Sequence, residues 1–215
     1  MNLSQYIEHT LLYPDTQVFR IEELCKEAIE HQFYGVCIQG CHLTLAAEIL
    51  KGSQVVLGSV VGFPQGVVST EAKRCEALAY VKQGAQEIDM VMNMSWFKSG
   101  DLSKTILDIA TVKDAIGDNI LKVIIETSYL TDQEKQLAAH CVVEAGADYV
   151  KTSTGFAGGG ATVSDIELLS KAVQGKIKIK ASGGIKTPEF AMALINAGAH
   201  KLGTSSGISL VTQKI

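Results

Sequence analysis

Three side chains in this sequence have the types and places for carbonyl chemistry. Lys151 lies near the end of the run DYVKT (residues 148–152), Lys180 near the end of IKIKA (177–181), and Asp89 within EIDMVM (87–92). An amine beside a second cation gives up its proton more readily, and a free amine attacks a carbonyl carbon. A carboxylate at the end of a neighbouring run supplies charge balance and proton transfer. If these runs are strands, alternation puts Glu87 and Asp89 on one face, Tyr149 and Lys151 on one face, and Lys178 and Lys180 opposite Ile177 and Ile179. The isoleucines should meet a helix layer, so both lysines of IKIKA are expected to point the other way. Most lysines are simply solvated. The position of Lys151 and Lys180 at run ends, each followed by a Gly- and Ser-rich segment, favours the chemical reading.

Those following segments have a chemistry of their own. Ser182-Gly183-Gly184-Ile185-Lys186 and Thr204-Ser205-Ser206-Gly207 offer hydroxyls, backbone N–H groups that a ligand can approach closely, and one added cation in Lys186. Residues 152–160 (TSTGFAGGG) are similar. One Gly pair would mean little, since Gly ends strands for steric reasons. Three such loops in succession point to an anionic, phosphorylated ligand.

What must position these groups is an alternation of strands and helices. Seven short runs, mostly β-branched, read as strands: residues 34–38, 55–61, 87–92, 121–126, 148–152, 177–181 and 200–204. Between them lie helical patterns. Ile21, Leu24, Cys25, Ala28 and Ile29 form one face of a helix. Thr131 and Glu134 have capping-box spacing, and Thr187-Pro188 sets a capping hydroxyl before a Pro in the first turn. Gly84, Gly146 and Gly198 suit helix C-termini. Strict alternation implies parallel pairing. Residues 6–10 (YIEHT) are the remaining candidate for an eighth strand, which closes a (β/α)8 barrel in a single α/β domain spanning 1–215. An open doubly wound sheet is the competing fold. It calls for a Gly-rich loop at the first strand–helix turn, where IQGCHL has one Gly.

Composition narrows the function classes. The chain has 215 residues, 47% hydrophobic and 20% charged, with a net charge of −4. Mild acidity argues against nucleic-acid partners. No apolar run reaches the ~18 residues of a membrane span. The first ten residues show neither a basic region nor an apolar one of the kind that begins a secretory signal, so the cytoplasm is the expected location. The odd set Cys25, Cys37, Cys41, Cys75 and Cys141 reads as reduced thiols, and Cys37 as core packing more than substrate contact. Trp96 and Phe97 are expected to pack at a helix start. The five His residues form no ligand triad, so no metal site is expected. Lys122, Lys178 and Glu87 could form an inner polar layer, or lie in solvent at the barrel floor.

The motifs IEHTLL, VVGFPQG, EIDMVMN, LKVIIET, VKTSTGF, KASGGIKT and KLGTSSG, running from residue 7 to residue 207, resemble in order those of the deoxyribose-phosphate aldolases. The resemblance implies a class I aldolase on a (β/α)8 barrel. Such an enzyme cleaves 2-deoxy-D-ribose 5-phosphate to glyceraldehyde 3-phosphate and acetaldehyde without metal or organic cofactor. It matches Lys151 to the Schiff-base lysine, Lys180 to the second catalytic lysine and Asp89 to the proton-relay carboxylate. Gly155, Gly183, Gly184, Gly203, Ser205 and Ser206 match phosphate-contacting positions. The chain departs from the pattern at Glu8, where Asp is commoner, at Ile38-Gln39-Gly40, which lacks a frequent Pro, and at Lys201, a frequent Arg. It ends at Ile215, where some members carry Tyr, which puts a tail-assisted proton transfer in doubt. Two other readings stay open here: another Schiff-base phosphosugar lyase of transaldolase type, and a barrel that binds a sugar phosphate without turnover. A homo-oligomer is also left open.

Overall fold

The structure, a computed structural model, describes residues 2–212. Residues 213–215, and with them the expectation about the tail, lie outside the described residues.

The elements follow in strict order: β1 (Ile7–Leu11), α1 (Val18–Glu30), β2 (Gly35–Ile38), α2 (Leu43–Leu50), β3 (Val56–Val61), α3 (Thr70–Lys82) and β4 (Glu87–Val91). The short α4 (Met94–Lys98) leads into α5 (Leu102–Ile116), then β5 (Ile120–Ile124), α6 (Asp132–Glu144), β6 (Tyr149–Lys151) and α7 (Val163–Val173). β7 (Lys178–Ser182), α8 (Pro188–Asn196), β8 (Lys201–Thr204) and α9 (Gly207–Thr212) complete the order. Each strand pairs in parallel with the next, and β8 returns to β1, closing an eight-stranded barrel. The expected (β/α)8 fold is therefore the observed one, and the eighth strand is the short, half-polar segment beginning at Ile7.

Local chemistry sets the boundaries. Thr131 and Glu134 make the reciprocal capping box that opens α6. The Thr187 hydroxyl accepts from the Phe190 N–H, with Pro188 in the first turn of α8. Gly84, Gly146 and Gly198 follow helices with φ of 104°, 75° and 119°. One boundary differs in a way that matters. The run 121–126 was expected to be strand throughout, but β5 stops at Ile124 and Glu126 takes a left-handed backbone conformation.

The core lies between barrel and helices. Ile7, Val36, Leu57, Ile88, Leu121, Val150, Ile179 and Leu202 alternate outward from the eight strands and pack into one continuous apolar cluster with the helices. Each such side chain contributes ~1.5–3 kcal/mol when fully buried. The same alternation directs Glu8, Glu87, Asp89, Lys122, Lys151 and Lys180 inward, and all six are buried. Lys178 is not among them. It is exposed at the first position of β7, with its ammonium 5.6 Å from the Tyr149 ring centroid. The two lysines of IKIKA share a face but lie at different depths, and only Lys180 enters the barrel interior.

Candidate active site

The interior of the barrel holds a column of paired charges centred on Asp89. Lys122 Nζ donates to Asp89 Oδ1 at 2.8 Å, while Lys151 and Lys180 donate to Oδ2 at 2.7 and 2.6 Å. Sequence reasoning pointed Lys151 and Lys180 into one mouth as neighbouring cations, with Asp89 for charge balance. The structure interposes Asp89, so the two ammoniums share one carboxylate oxygen. Lys180 also donates to Glu8, and Lys122 reaches Glu8 at 3.2 Å and Glu87 at 2.6 Å. Tyr34 donates its hydroxyl to Glu87 at 2.5 Å. Three acids face three ammoniums, which is how this charge is tolerated in a dry interior.

Burial alone would raise the Asp89 carboxyl and lower Lys122 and Lys180. The mutual attraction outweighs it. Lys122, Lys151 and Lys180 hold Asp89 well below the usual carboxylate range, and Lys122 and Lys180 hold Glu8 down. In return Asp89 and Glu8 raise Lys180, and, together with Glu87, raise Lys122 well above the usual lysine range. Lys180 and Lys122 are thus fixed cations at neutral pH. Lys151 differs in access: its only ion-pair partner among the described residues is Asp89, and it lines an open cavity.

That cavity, of about 180 Å³, sits at the C-terminal mouth of the barrel, where loops after the strands meet. Gly155, Gly183, Gly184, Gly203, Ser205, Ser206 and Lys186 all line it together with Lys151. Asp89 and Lys180 lie beneath, fully buried. The loop after β6 docks on the loop after β7 so closely that a side chain would not fit. A Cβ on Gly160 would stand 2.6 Å from Gly183 O, and one on Gly183 would stand 2.9 Å from Gly160 Cα. Gly184, at φ 76°, turns its backbone into the cavity.

Several participants escaped the sequence reading or entered it under another heading. Glu8 registered only as a departure from a motif, yet it is buried against two lysines. Its signal was the alternation of YIEHT, which gives Tyr6, Glu8 and Thr10 one face. Lys122 and Glu87, left undecided, are both in the column. Thr10, Leu12, Tyr13, Thr154 and Phe156 also line the mouth. Cys37 packs with Leu12 and Val60, as expected of a core thiol. Burial and the nearby Asp89 push it up to about 11, so it stays protonated. Phe97 is buried in α4 as expected, while Trp96 lies half-buried under the Lys104 ammonium.

A closed (β/α)8 barrel with a lysine at the floor of its mouth cavity, a carboxylate at that amine and Gly- and Ser-rich loops around it defines an aldolase-type barrel suited to imine chemistry. The comparisons agree. Residues 4–211 match the model of the DeoC/LacD family aldolases, and the chain belongs to that family. A deoxyribose-phosphate aldolase of Brevibacillus brevis is 51% identical over 212 residues, 99% of this chain and 96% of that protein. One from Deinococcus radiodurans is 47% identical, again over 99% and 96%. Among solved structures, a tetrameric deoxyribose phosphate aldolase of Aeropyrum pernix superposes with a TM-score of 0.90 at 30% identity, covering 97% of this chain and 89% of that one.

Proposed function

We propose that the protein is a class I aldolase that reversibly cleaves 2-deoxy-D-ribose 5-phosphate to glyceraldehyde 3-phosphate and acetaldehyde, with Lys151 as the imine-forming residue. The observation that carries this reading is the junction of Lys151 with both parts of the site: its amine contacts Asp89, and it shares one cavity with the Gly183–Gly184 and Ser205–Ser206 loops.

Lys151, its proton released to water in the cavity, attacks C1 of the open-chain sugar as the free amine, and a proton taken back from water leaves with the carbinolamine hydroxyl, so that Asp89 stays ionised. Loss of water gives an imine, whose protonated form is an electron sink. The proton of the C3 hydroxyl passes to Asp89 through water, the C2–C3 bond breaks, and its electron pair moves into the imine to give an enamine. Glyceraldehyde 3-phosphate leaves. The enamine is protonated at C2, and hydrolysis releases acetaldehyde and restores Lys151. Lys180, a fixed cation between Glu8 and Asp89, stabilises negative charge that develops on the departing oxygen. Lys122 holds the far oxygen of Asp89. The phosphate fits the backbone N–H groups and hydroxyls around Gly155, Gly183, Gly184, Gly203, Ser205 and Ser206, with Lys186 adding charge.

The same reading places a phosphosugar as substrate and needs no nucleic-acid or membrane partner. No helix among the described residues is long and apolar enough to cross a membrane. Free thiols at Cys25, Cys37, Cys41, Cys75 and Cys141 support a reducing compartment such as the cytoplasm. One barrel domain carries the whole site, and the tetrameric relative from Aeropyrum pernix supports a homo-oligomer. The direct test is product analysis on 2-deoxyribose 5-phosphate. Equal amounts of acetaldehyde and glyceraldehyde 3-phosphate support the proposal. Binding without turnover would favour a non-catalytic barrel, and transfer of a three-carbon unit a transaldolase-type lyase.

A further inference from the structure

We propose that Glu126 is a positioning residue that sets the wall of the substrate cavity through Thr154. Glu126 follows β5 with φ 47° and ψ 74°, a conformation that a long L side chain seldom adopts. It is buried, and its Oε1 has no hydrogen-bond partner among the described residues. Left-handed backbone and an unpartnered buried carboxylate oxygen both oppose folding. What the turn achieves is delivery of Oε2 to the loop after Lys151, where it accepts from the Thr154 N–H at 3.0 Å and from its hydroxyl at 2.5 Å.

The Thr154 oxygen, its hydrogen committed to Glu126, keeps a lone pair for the Phe156 N–H at 3.0 Å. The Phe156 ring then meets Tyr13 at 5.6 Å and Phe63 at 5.2 Å between centroids. Thr154, Phe156 and Tyr13 all line the cavity that Lys151 enters. Behind the loop lies a second cavity of about 320 Å³, lined by Glu126, Tyr129, Pro64 and Val67 and by the same Thr154 and Phe156. The loop is therefore a wall with space on both sides. Its far end is docked on the loop after β7 and the Phe156 ring rests on Tyr13 and Phe63, while the segment between Lys151 and Phe156 is fixed by the hydrogen bonds from Thr154 to Glu126. Without them the wall falls back into the second cavity and the substrate cavity loses its shape. Lys151, on β6 and tied to Asp89, keeps its place.

The inference rests on the proposed reading of Lys151 and its cavity, and its test separates the two. Acetaldehyde with borohydride should label Lys151 in the wild type; labelling elsewhere would overturn the Lys151 reading and leave the wall untouched. Glu126→Ala and Thr154→Val should each lower kcat/KM for deoxyribose 5-phosphate about 30-fold, mostly through KM. The rate of acetaldehyde trapping at Lys151, which needs no wall, should stay within about 2-fold of wild type. Because Glu126 acts through Thr154, the double variant should be within about 3-fold of either single one. Glu126→Gln, which keeps an acceptor, should stay within about 5-fold of wild type. If Glu126→Ala does not fold, Glu126→Asp, whose shorter side chain retracts from Thr154, replaces it in the cycle. Additive losses in the double variant, equal losses in trapping and turnover, or no loss in the single variants would overturn the proposal.

Discussion

Replacing Asp89 by Asn removes the charge around which the barrel interior is built. In the native column Glu8, Glu87 and Asp89 balance Lys122, Lys151 and Lys180. In Asp89→Asn two acids face three ammoniums. Lys122 keeps Glu87 and Glu8, and Lys180 keeps Glu8, but Lys151 loses its carboxylate. Breaking a buried pair from one side costs about 3–5 kcal/mol. For a chain of this size each kcal/mol moves the melting temperature by about 2–4 °C. The expected loss at pH 7 is therefore about 6–20 °C. The pH dependence has a definite sign. The excess positive charge lowers the pKa of a column lysine in the folded variant, below the ~10.4 of the unfolded chain. The unfolded state then binds more protons, and the variant gains stability as pH rises, by up to ~1.4 kcal/mol per pH unit in that window. In the wild type, Lys122 and Lys180 are shifted upward, so their contribution is complete below the unfolded value and disappears only in stronger alkali. The assay is thermal unfolding of both proteins from pH 6 to 10, with turnover measured at pH 7. The gap between them should narrow with pH, and turnover should fall by about 10²–10⁴, as for a lost acid–base group. A variant that melts within about 2 °C of wild type at pH 7 and keeps a third of its turnover would refute the reasoning.

Three further outcomes follow from the same geometry. Gly184→Val forces a β-branched residue into φ 76° beside the cavity, where its Cβ meets nothing but its backbone is strained. Loss of a charge-assisted phosphate contact should lower kcat/KM for deoxyribose 5-phosphate by about 10–100-fold and leave the slow reaction of unphosphorylated deoxyribose little changed; equal losses would remove the loop from phosphate binding. Asp89 and Glu8 have folded pKa values below the ~3.9 and ~4.3 of the unfolded chain, so the stability they give is present above about pH 5, begins to fall near pH 4 and is lost only as pH drops on through their lower folded values. A melting profile that rises on acidification would contradict this. Exhaustive chelation should leave kcat/KM unchanged, since the electron sink is a lysine imine; a loss restored specifically by zinc would contradict the mechanism.

The barrel was legible because its strands are short apolar runs separated by helical periodicity, so their boundaries fall within one or two residues of expectation. Lys151, Lys180 and Asp89 could be aimed at one point by period-two alternation alone. The same rule misled at Lys178, because alternation gives the face of a strand and not the depth along the barrel axis, and β7 begins at the floor. The alternation of YIEHT gave Glu8 a face, but in so short a strand it did not say what that face meets, and its partners come from strands more than a hundred residues away. Glu126 was hidden for a different reason. It ends a run that reads as strand, and a left-handed turn imposed by contacts to Thr154 leaves no trace in propensity.

The central claim is that Lys151 carries the substrate as an imine. Borohydride reduction of the protein with deoxyribose 5-phosphate, followed by peptide mapping, tests it most directly. The account predicts one modified residue, Lys151, with inactivation in proportion to labelling and protection by borohydride omission. Labelling of Lys180, of Lys122 or of any other lysine, or inactivation-free turnover in which no lysine is trapped, would contradict it.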